Sequence, residues 1–353
     1  MKFKEFFILS FMGLKVVIPV AGKGTRLRPH TLLIPKALIN VGEKKIIDYI
    51  MDIVVPLAPE EVIFVIGYLG DIIKEYIESA YPKVNSSFVI QEKPQGLGHA
   101  ISVASQKINE NDSLLILLGD LIFFADVNRA IKEIPIGEHT ISVISVHDPH
   151  RYGVVVLDKK GKYVEKLVEK PSTPVSNLAI SGIYYFSIAK PLLESIKYII
   201  SNNIKTKGEY QLTDAMMEMV KKGEKISVFQ IEEIYDCGSK EKLIEANNKL
   251  LDKFFKHIDI KSPAINIKNS VIIPPVYINP NAYIEMSVIG PYVSVHKGAN
   301  IRNSVIRESI IEEGAHVDGM IMDKSLIGRD SYVEEAFREL NIGPHSEYKK
   351  KSL

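Results

Sequence analysis

The chain has 353 residues, of which 46% are hydrophobic and 25% charged, with a formal net charge of +1. That length accommodates two domains with buried cores, and so balanced a charge argues against nucleic acid as the main partner. One cysteine, Cys237, excludes an internal disulfide and argues against a cysteine-based zinc site, which fits a cytoplasmic enzyme.

Residues 1–12 read as an extension ahead of the first strand. Lys2 and Lys4 precede Phe6-Phe7-Ile8-Leu9, but Glu5 interrupts the run and no small-residue cleavage site follows, so a signal peptide is not expected. Met12 is an alternative start. No apolar run approaches the roughly 20 residues of a membrane span, so no membrane partner is expected. Val16-Val17-Ile18 has the character of a buried parallel strand. It breaks into Ala21-Gly22-Lys23-Gly24-Thr25-Arg26, where two glycines permit a sharp turn and close backbone approach to a ligand. Successive N–H groups in such a turn form a concave anion site. Lys23, Arg26, Arg28 and Lys36 add positive charge, and the combination suits a polyphosphate. It is not a Walker A loop, because Thr25 and Arg26 follow Gly24, and the dinucleotide fingerprint fails where Leu27 replaces its third glycine.

Up to about Lys132 strand and helix alternate. Strands are predicted over 61–66, 87–91 and 113–118, the last running into Gly119-Asp120. Helices are predicted over 71–79, with Ile72, Ile73, Tyr76 and Ile77 on the apolar face, and over 98–108. Such alternation predicts a doubly wound sheet with ligands at the carboxyl ends of its strands. The chain then becomes richer in strands, predicted over 140–146, 152–157, 163–168 and 182–187, with helices over 189–200 and 213–221. A strand over 226–231 leads to Tyr235-Asp236-Cys237-Gly238, and a long amphipathic helix over 240–257 precedes the domain junction. Beyond it Ile265, Val271, Tyr277, Tyr283, Ile289, Val295 and Ile301 recur every six residues, the mark of a parallel β-helix. The register slips after Ile301 and resumes at Ile311 and Val317, then at Ile327 and Val333. The expected division is 1–12, 13–258, 259–333 and a tail over 334–353, read as a short helix or as disordered, whose Lys349-Lys350-Lys351 is a solvated end.

Gly22-Lys23-Gly24-Thr25-Arg26-Leu27 with Pro29, followed by Pro35-Lys36, resembles the signature of the sugar-1-phosphate nucleotidylyltransferases. The glucose-1-phosphate thymidylyl- and uridylyltransferases are the nearest branch, and the repeats resemble the left-handed hexapeptide family. The likeness covers roughly 15–257 and 263–333. It implies a Rossmann-like α/β domain with a doubly wound mixed sheet, followed by a left-handed parallel β-helix. It also implies attack of a sugar phosphate oxygen on the α-phosphorus of a nucleoside triphosphate, with pyrophosphate leaving in line. That reaction requires cations and Mg²⁺ rather than a side-chain nucleophile.

On this resemblance Ala21, Gly22, Gly24 and Thr25 form the nucleotide turn, Arg26 takes the β- and γ-phosphates, and Lys36 stands between the α-phosphate and the sugar phosphate. Asp120 and Asp236 are the metal ligands. The run Gln91 to Ala100, QEKPQGLGHA, resembles the base loop and is closest in wording to the uridylyltransferases. Gln91 reads a pyrimidine edge and Gly96 leaves room for the ring; an amide that donates and accepts at once suits uracil or thymine. His99 is read as structural. On the sugar side Gly153 belongs to a Tyr-Gly-Val turn, Glu169 and Lys170 to a Glu-Lys-Pro element serving the hydroxyls and the phosphate, and Ile180 to the segment 177–184. Lys207 stands where thymidylyltransferases carry an arginine, without the bidentate fork. Thr213-Asp214 is read as a helix start. Two departures are Leu121, where an asparagine often follows the first aspartate, and Tyr235 in place of a tryptophan.

Three alternatives stay open. Acyl transfer would need His296 or His316 as a base. A nucleotide-sensing subunit of a translation-initiation exchange factor would share the layout without the chemistry. Mannose-1-phosphate guanylyltransfer would fit Gln91 poorly. The β-helix is expected to serve oligomerisation or regulation, making a homo-oligomer. The sugar stays open, as does dTTP against UTP, since one methyl group is worth only about 1–3 kcal/mol in a hydrophobic pocket.

Overall fold

The computed structural model describes residues 13–256 and 266–335. The expected extension, Ile265, His257 at the end of the long helix and the tail from 336 lie outside the described residues. The chain forms two compact units, the first ending at Ala246 and the second beginning at Asn247. The division therefore falls inside the helix Lys240–Phe254 rather than after it. The second half of that helix is tied to the coils, with Ser294 Oγ donating to Asn247 Oδ1 at 2.7 Å and Tyr292 donating to Asp252 at 3.2 Å. No helix among the described residues is long and apolar enough to cross a membrane.

In the first unit Leu14, Val16 and Ile18 face one apolar layer and Val17 the other, all fully buried. An uninterrupted apolar run is what a strand covered on both faces requires. Among the described residues nine strands make one mixed sheet. Ser113–Leu117, Leu14–Pro19, Glu61–Ile66 and Ser86–Ile90 lie parallel in that order. Leu178–Phe186 runs antiparallel to Ser113–Leu117 and carries the β-rich half of the sheet. Its register against Glu138–Ser145 shifts between Ile180 and Tyr184, where Gly182 has φ 97°. The Ser142 hydroxyl accepts the Ile183 N–H at 2.9 Å, so the donor displaced by the bulge stays satisfied.

The predicted strands and helices exist, with ends displaced by a few residues. Ile72, expected on the apolar face of its helix, is 37% exposed, whereas Ile73 and Ile77 are fully buried. Unforeseen were the helices Ile46–Val54 and Val127–Lys132 and a separate antiparallel ribbon of Leu121–Phe124 with Glu233–Asp236. Four-residue strands are too short to display a period.

In the second unit the coils stack as three parallel ladders of the left-handed hexapeptide β-helix, one face being Asn266–Lys268, Tyr283–Glu285, Asn300–Arg302, His316–Asp318 and Tyr332–Glu334. Serines at the corners link successive coils. Ser287 N–H donates to Ser270 Oγ at 3.0 Å and Ser304 N–H to Ser287 Oγ at 3.1 Å, each 17 residues apart. Met320 N–H to Ser304 Oγ and Ser325 N–H to Ser309 Oγ span 16. Three full hexads would need about 18 residues per coil. The shortfall explains the slipping register and corrects its early positions. Tyr277 and Tyr283 are only partly buried and Val271 is 57% exposed, while Ile278 and Ile284 occupy the interior. Ile289, Val295, Ile301, Ile311 and Val317 are fully buried as expected.

Ile301→Ala should therefore cost about 2–5 kcal/mol in urea unfolding followed by circular dichroism, whereas Val305→Ala, at a side chain 44% exposed, should stay within about 0.5 kcal/mol. Equal effects would contradict this assignment of inside and outside.

Candidate active site

At the carboxyl ends of the parallel strands lies a cavity of about 610 Å³, within the range of small-molecule sites. The turn after Leu14–Pro19 supplies one wall through Ala21, Gly22, Gly24, Thr25 and Arg26. A Cβ on Gly22 would meet nothing within 4 Å, so the space above it is open to a ligand. Gly24 sits in the left-handed region at φ 59°, and its carbonyl accepts from Thr31 Oγ1 at 2.8 Å and from Leu27 N–H at 2.9 Å. These bonds hold the turn open.

Lys36 and Asp120 form the floor. Lys36 Nζ donates to Asp120 Oδ2 at 2.9 Å, with the lysine side chain only 12% exposed. Asp120 directly precedes the ribbon strand Leu121–Phe124, and Asp236 ends its partner, pairing with Leu121. Cys237 N–H donates to the Asp120 carbonyl at 3.3 Å, so two residues far apart in the chain become neighbours. Asp236 does not itself line the cavity. It adjoins it through Gly238, where a Cβ would lie 2.7 Å from Asp236 Oδ1 and 2.9 Å from the Arg26 guanidinium. Two carboxylates beside a glycine turn are a donor set suited to Mg²⁺, which takes one or two carboxylates and completes its shell with water and phosphate oxygens. Among the described residues no cluster of three or more acidic, histidine or cysteine groups could hold a metal alone. Cys237 is buried, and burial pushes its thiol up to about 12, so it stays protonated and is no nucleophile.

Gln91, directly after Ser86–Ile90, and Gly96 line the opposite wall. Gly96 has φ 103°, and a Cβ there would stand 2.6 Å from the Tyr210 carbonyl. Only glycine fits, and Tyr210 N–H donating to Gln95 at 2.9 Å fastens the loop.

The predicted sugar residues do not line this cavity, and Gly153, Glu169, Lys170 and Ile180 form a cluster of their own. A Cβ on Gly153 would lie 2.9 Å from Glu169 Oε2 and 3.2 Å from Ile180 Cδ1. Lys170, at φ 43°, reaches Glu169 Oε1 at 3.5 Å. Tyr184 is buried, which raises its phenol above the usual range, and the charges of Glu169 and Asp120 add to that. Lys207 is exposed on its turn and makes no hydrogen bond or ion pair with this cluster among the described residues.

Two contributors escaped the sequence reading. Thr213, taken as a helix start, does lie in the first turn of Leu212–Lys221, but its hydroxyl also donates to Glu169 Oε2 at 2.8 Å. Lys242, in the first turn of Lys240–Phe254, donates to Asp236 Oδ2. Nothing in a Lys-Glu-Lys run distinguishes that lysine until the fold places it. The two departures are packing changes: Leu121 Cδ1 would lie 2.9 Å from a Cβ on Gly182, and Tyr235 packs its ring on Phe124 with centroids 5.4 Å apart.

Burial alone would raise the Asp236 carboxyl, but the Lys242 hydrogen bond and charge, the Gly238 N–H and the Lys36 charge hold it below the usual aspartate range. A carboxyl lowered in the folded state adds stability that is complete above the unfolded value of about 3.9 and is lost as pH falls through the folded one. Lys242→Met should therefore destabilise the first unit at neutral pH, and the gap in urea midpoint to the wild type should start to shrink as pH falls below about 3.9 and close only once pH has passed the lower folded value. A difference that persists undiminished in acid would contradict this coupling.

Residues 15–253 match the nucleotidyl transferase family, and residues 262–320 match the GlmU-like, C-terminal hexapeptide family. A glucose-1-phosphate thymidylyltransferase of Streptomyces antibioticus is 27% identical over 357 residues, covering 94% of this chain and 98% of that protein. The UTP–glucose-1-phosphate uridylyltransferase AglF of Haloferax volcanii is 30% identical over 245 residues, covering 68% of this chain and 98% of its own length. Among solved structures, a UDP-glucose pyrophosphorylase complexed with UDP-glucose is 26% identical and superposes with a TM-score of 0.59 over 68% of this chain and 98% of that one. The chain thus belongs to the nucleotidyl transferase family and carries a GlmU-like hexapeptide domain.

Proposed function

We propose that this protein is a sugar-1-phosphate nucleotidylyltransferase that joins UTP or dTTP to a sugar 1-phosphate, glucose 1-phosphate foremost, and releases pyrophosphate. The observation that carries the reading is the ribbon that sets Asp120 and Asp236 on neighbouring rungs beside Arg26 and Lys36. The two relatives named above, a thymidylyl- and a uridylyltransferase for glucose 1-phosphate, support it.

Two anions must meet for this reaction, so charge compensation and positioning are the tasks of the protein. The glycine turn and Arg26 grip the outer phosphates. Lys36, which lines the cavity and neutralises Asp120, shifts its hydrogen bonds to the α-phosphate and offsets the repulsion of the incoming sugar phosphate. Mg²⁺ held by Asp120 and Asp236 would supply further positive charge to the triphosphate. Glu169, aimed by the Thr213 hydroxyl, accepts from sugar hydroxyls, and Lys170 beside it meets the sugar phosphate. Lys207 is assigned a weaker contact from its exposed turn. Of the two histidines considered for acyl transfer, His316 stacks on Tyr332 and His296 packs at a tilt against Tyr277, which favours a structural role.

A pyrophosphate-release screen of each nucleoside triphosphate against glucose-, mannose-, galactose- and N-acetylglucosamine-1-phosphate should give its largest kcat/KM with a pyrimidine nucleotide and glucose 1-phosphate, dependent on Mg²⁺. Absence of transfer from every pair would sink the proposal. Asp236→Asn should lower turnover by at least about a hundredfold while the circular dichroism spectrum is unchanged; a fully active variant would remove Asp236 from the metal site.

A further inference from the structure

The amide of Gln91 is held by two neighbours. Its Nε2 lies 3.3 Å from the Gly96 carbonyl oxygen and 2.9 Å from His99 Nδ1. A carbonyl oxygen can only accept, so the amide nitrogen, not the amide oxygen, faces Gly96. The same nitrogen must donate its other hydrogen to His99, which puts a lone pair on Nδ1 and the ring proton on Nε2. Burial lowers the His99 pKa, which favours that neutral ring. Both amide N–H groups are thereby used inside the protein. Among the described residues Gln91 Oε1 has no hydrogen-bond partner, while Gln91 is buried and lines the cavity. The amide expected to donate and accept at once therefore meets a ligand as an acceptor only.

We infer that His99 is a positioning residue for nucleotide choice: by accepting from Gln91 it fixes an amide oxygen toward the cavity, which selects a base carrying a ring N–H, as uracil and thymine do at N3, over cytosine, whose N3 carries a lone pair. This rests on the cavity being the site of a pyrimidine nucleoside triphosphate. Without His99 only the long bond to Gly96 restrains the amide, and the flipped orientation that suits cytosine gains population.

The kcat/KM ratio for UTP over CTP, with glucose 1-phosphate as acceptor, tests this in three forms of the full chain. His99→Leu should lower the ratio about tenfold relative to wild type, mostly through the KM of UTP, whereas His99→Asn, which retains an acceptor, should stay within about threefold. A merely structural role would depress both nucleotides equally and leave the ratio unchanged, which would overturn the inference while the proposed transferase stands. Wild-type transfer from purine nucleotides alone would overturn both. Nitrogen-15 NMR of the wild-type protein gives a check independent of turnover and of variant folding: the His99 ring should be the Nε2–H tautomer, and a proton on Nδ1 would overturn the inference.

Discussion

The antiparallel pairing of Leu121–Phe124 with Glu233–Asp236 is the contact on which the site depends. It brings the backbones of Asp120 and Asp236 together, with Asp236 opposite Leu121 and Cys237 N–H on the Asp120 carbonyl, so two acids of like charge share one end of the ribbon. Each acid is compensated by a lysine from elsewhere in the chain, Lys36 for Asp120 and Lys242 for Asp236. The arrangement is stable alone and remains adaptable, because a lysine ammonium can exchange a carboxylate for a phosphate without leaving its place. Charge compensation thus links the stability of the ribbon to its capacity for an anionic ligand.

Around the ribbon, close backbone approach does what side chains cannot. Gly96 presses against the Tyr210 carbonyl, and the loop is tied in turn by Tyr210 N–H to Gln95. Gly182 releases the register of the longest strand so that its first half pairs with Glu138–Ser145 and its second half also with Ser113–Leu117. That bend lets one strand pass from Ile180 in the cluster around Glu169 to buried Tyr184, whose phenol is raised by burial and by the charges of Glu169 and Asp120.

The second unit obeys a simpler constraint. Its coils are held by backbone ladders and corner serines whose hydroxyls accept from the next coil, as Ser287 does from Ser304, and donate within their own, as Ser287 does to the Glu285 carbonyl at 2.7 Å. Coils of 17 and 16 residues keep those serines stacked. Mostly β-branched and small residues fill the interior among the described residues, with Ile284, Ile301 and Val317 in register along one face and Met322 beside them.

Sequence alone determined the features with a local cause. A run such as Val16-Val17-Ile18 has to be buried on both faces, the glycine turn has to bend, and the six-residue recurrence of Ile289, Val295 and Ile301 has to close into coils. The early repeats misled because tyrosines at 277 and 283 sit beside the inward Ile278 and Ile284, and a period cannot tell adjacent apolar residues apart. What the tertiary structure decided were particular side-chain partnerships: Thr213 with Glu169 from 44 residues away, Lys242 with Asp236, and the amide of Gln91 spent on His99. Such contacts join polar side chains whose positions follow from packing elsewhere, and hydrogen bonds of that kind leave no periodic trace in the chain.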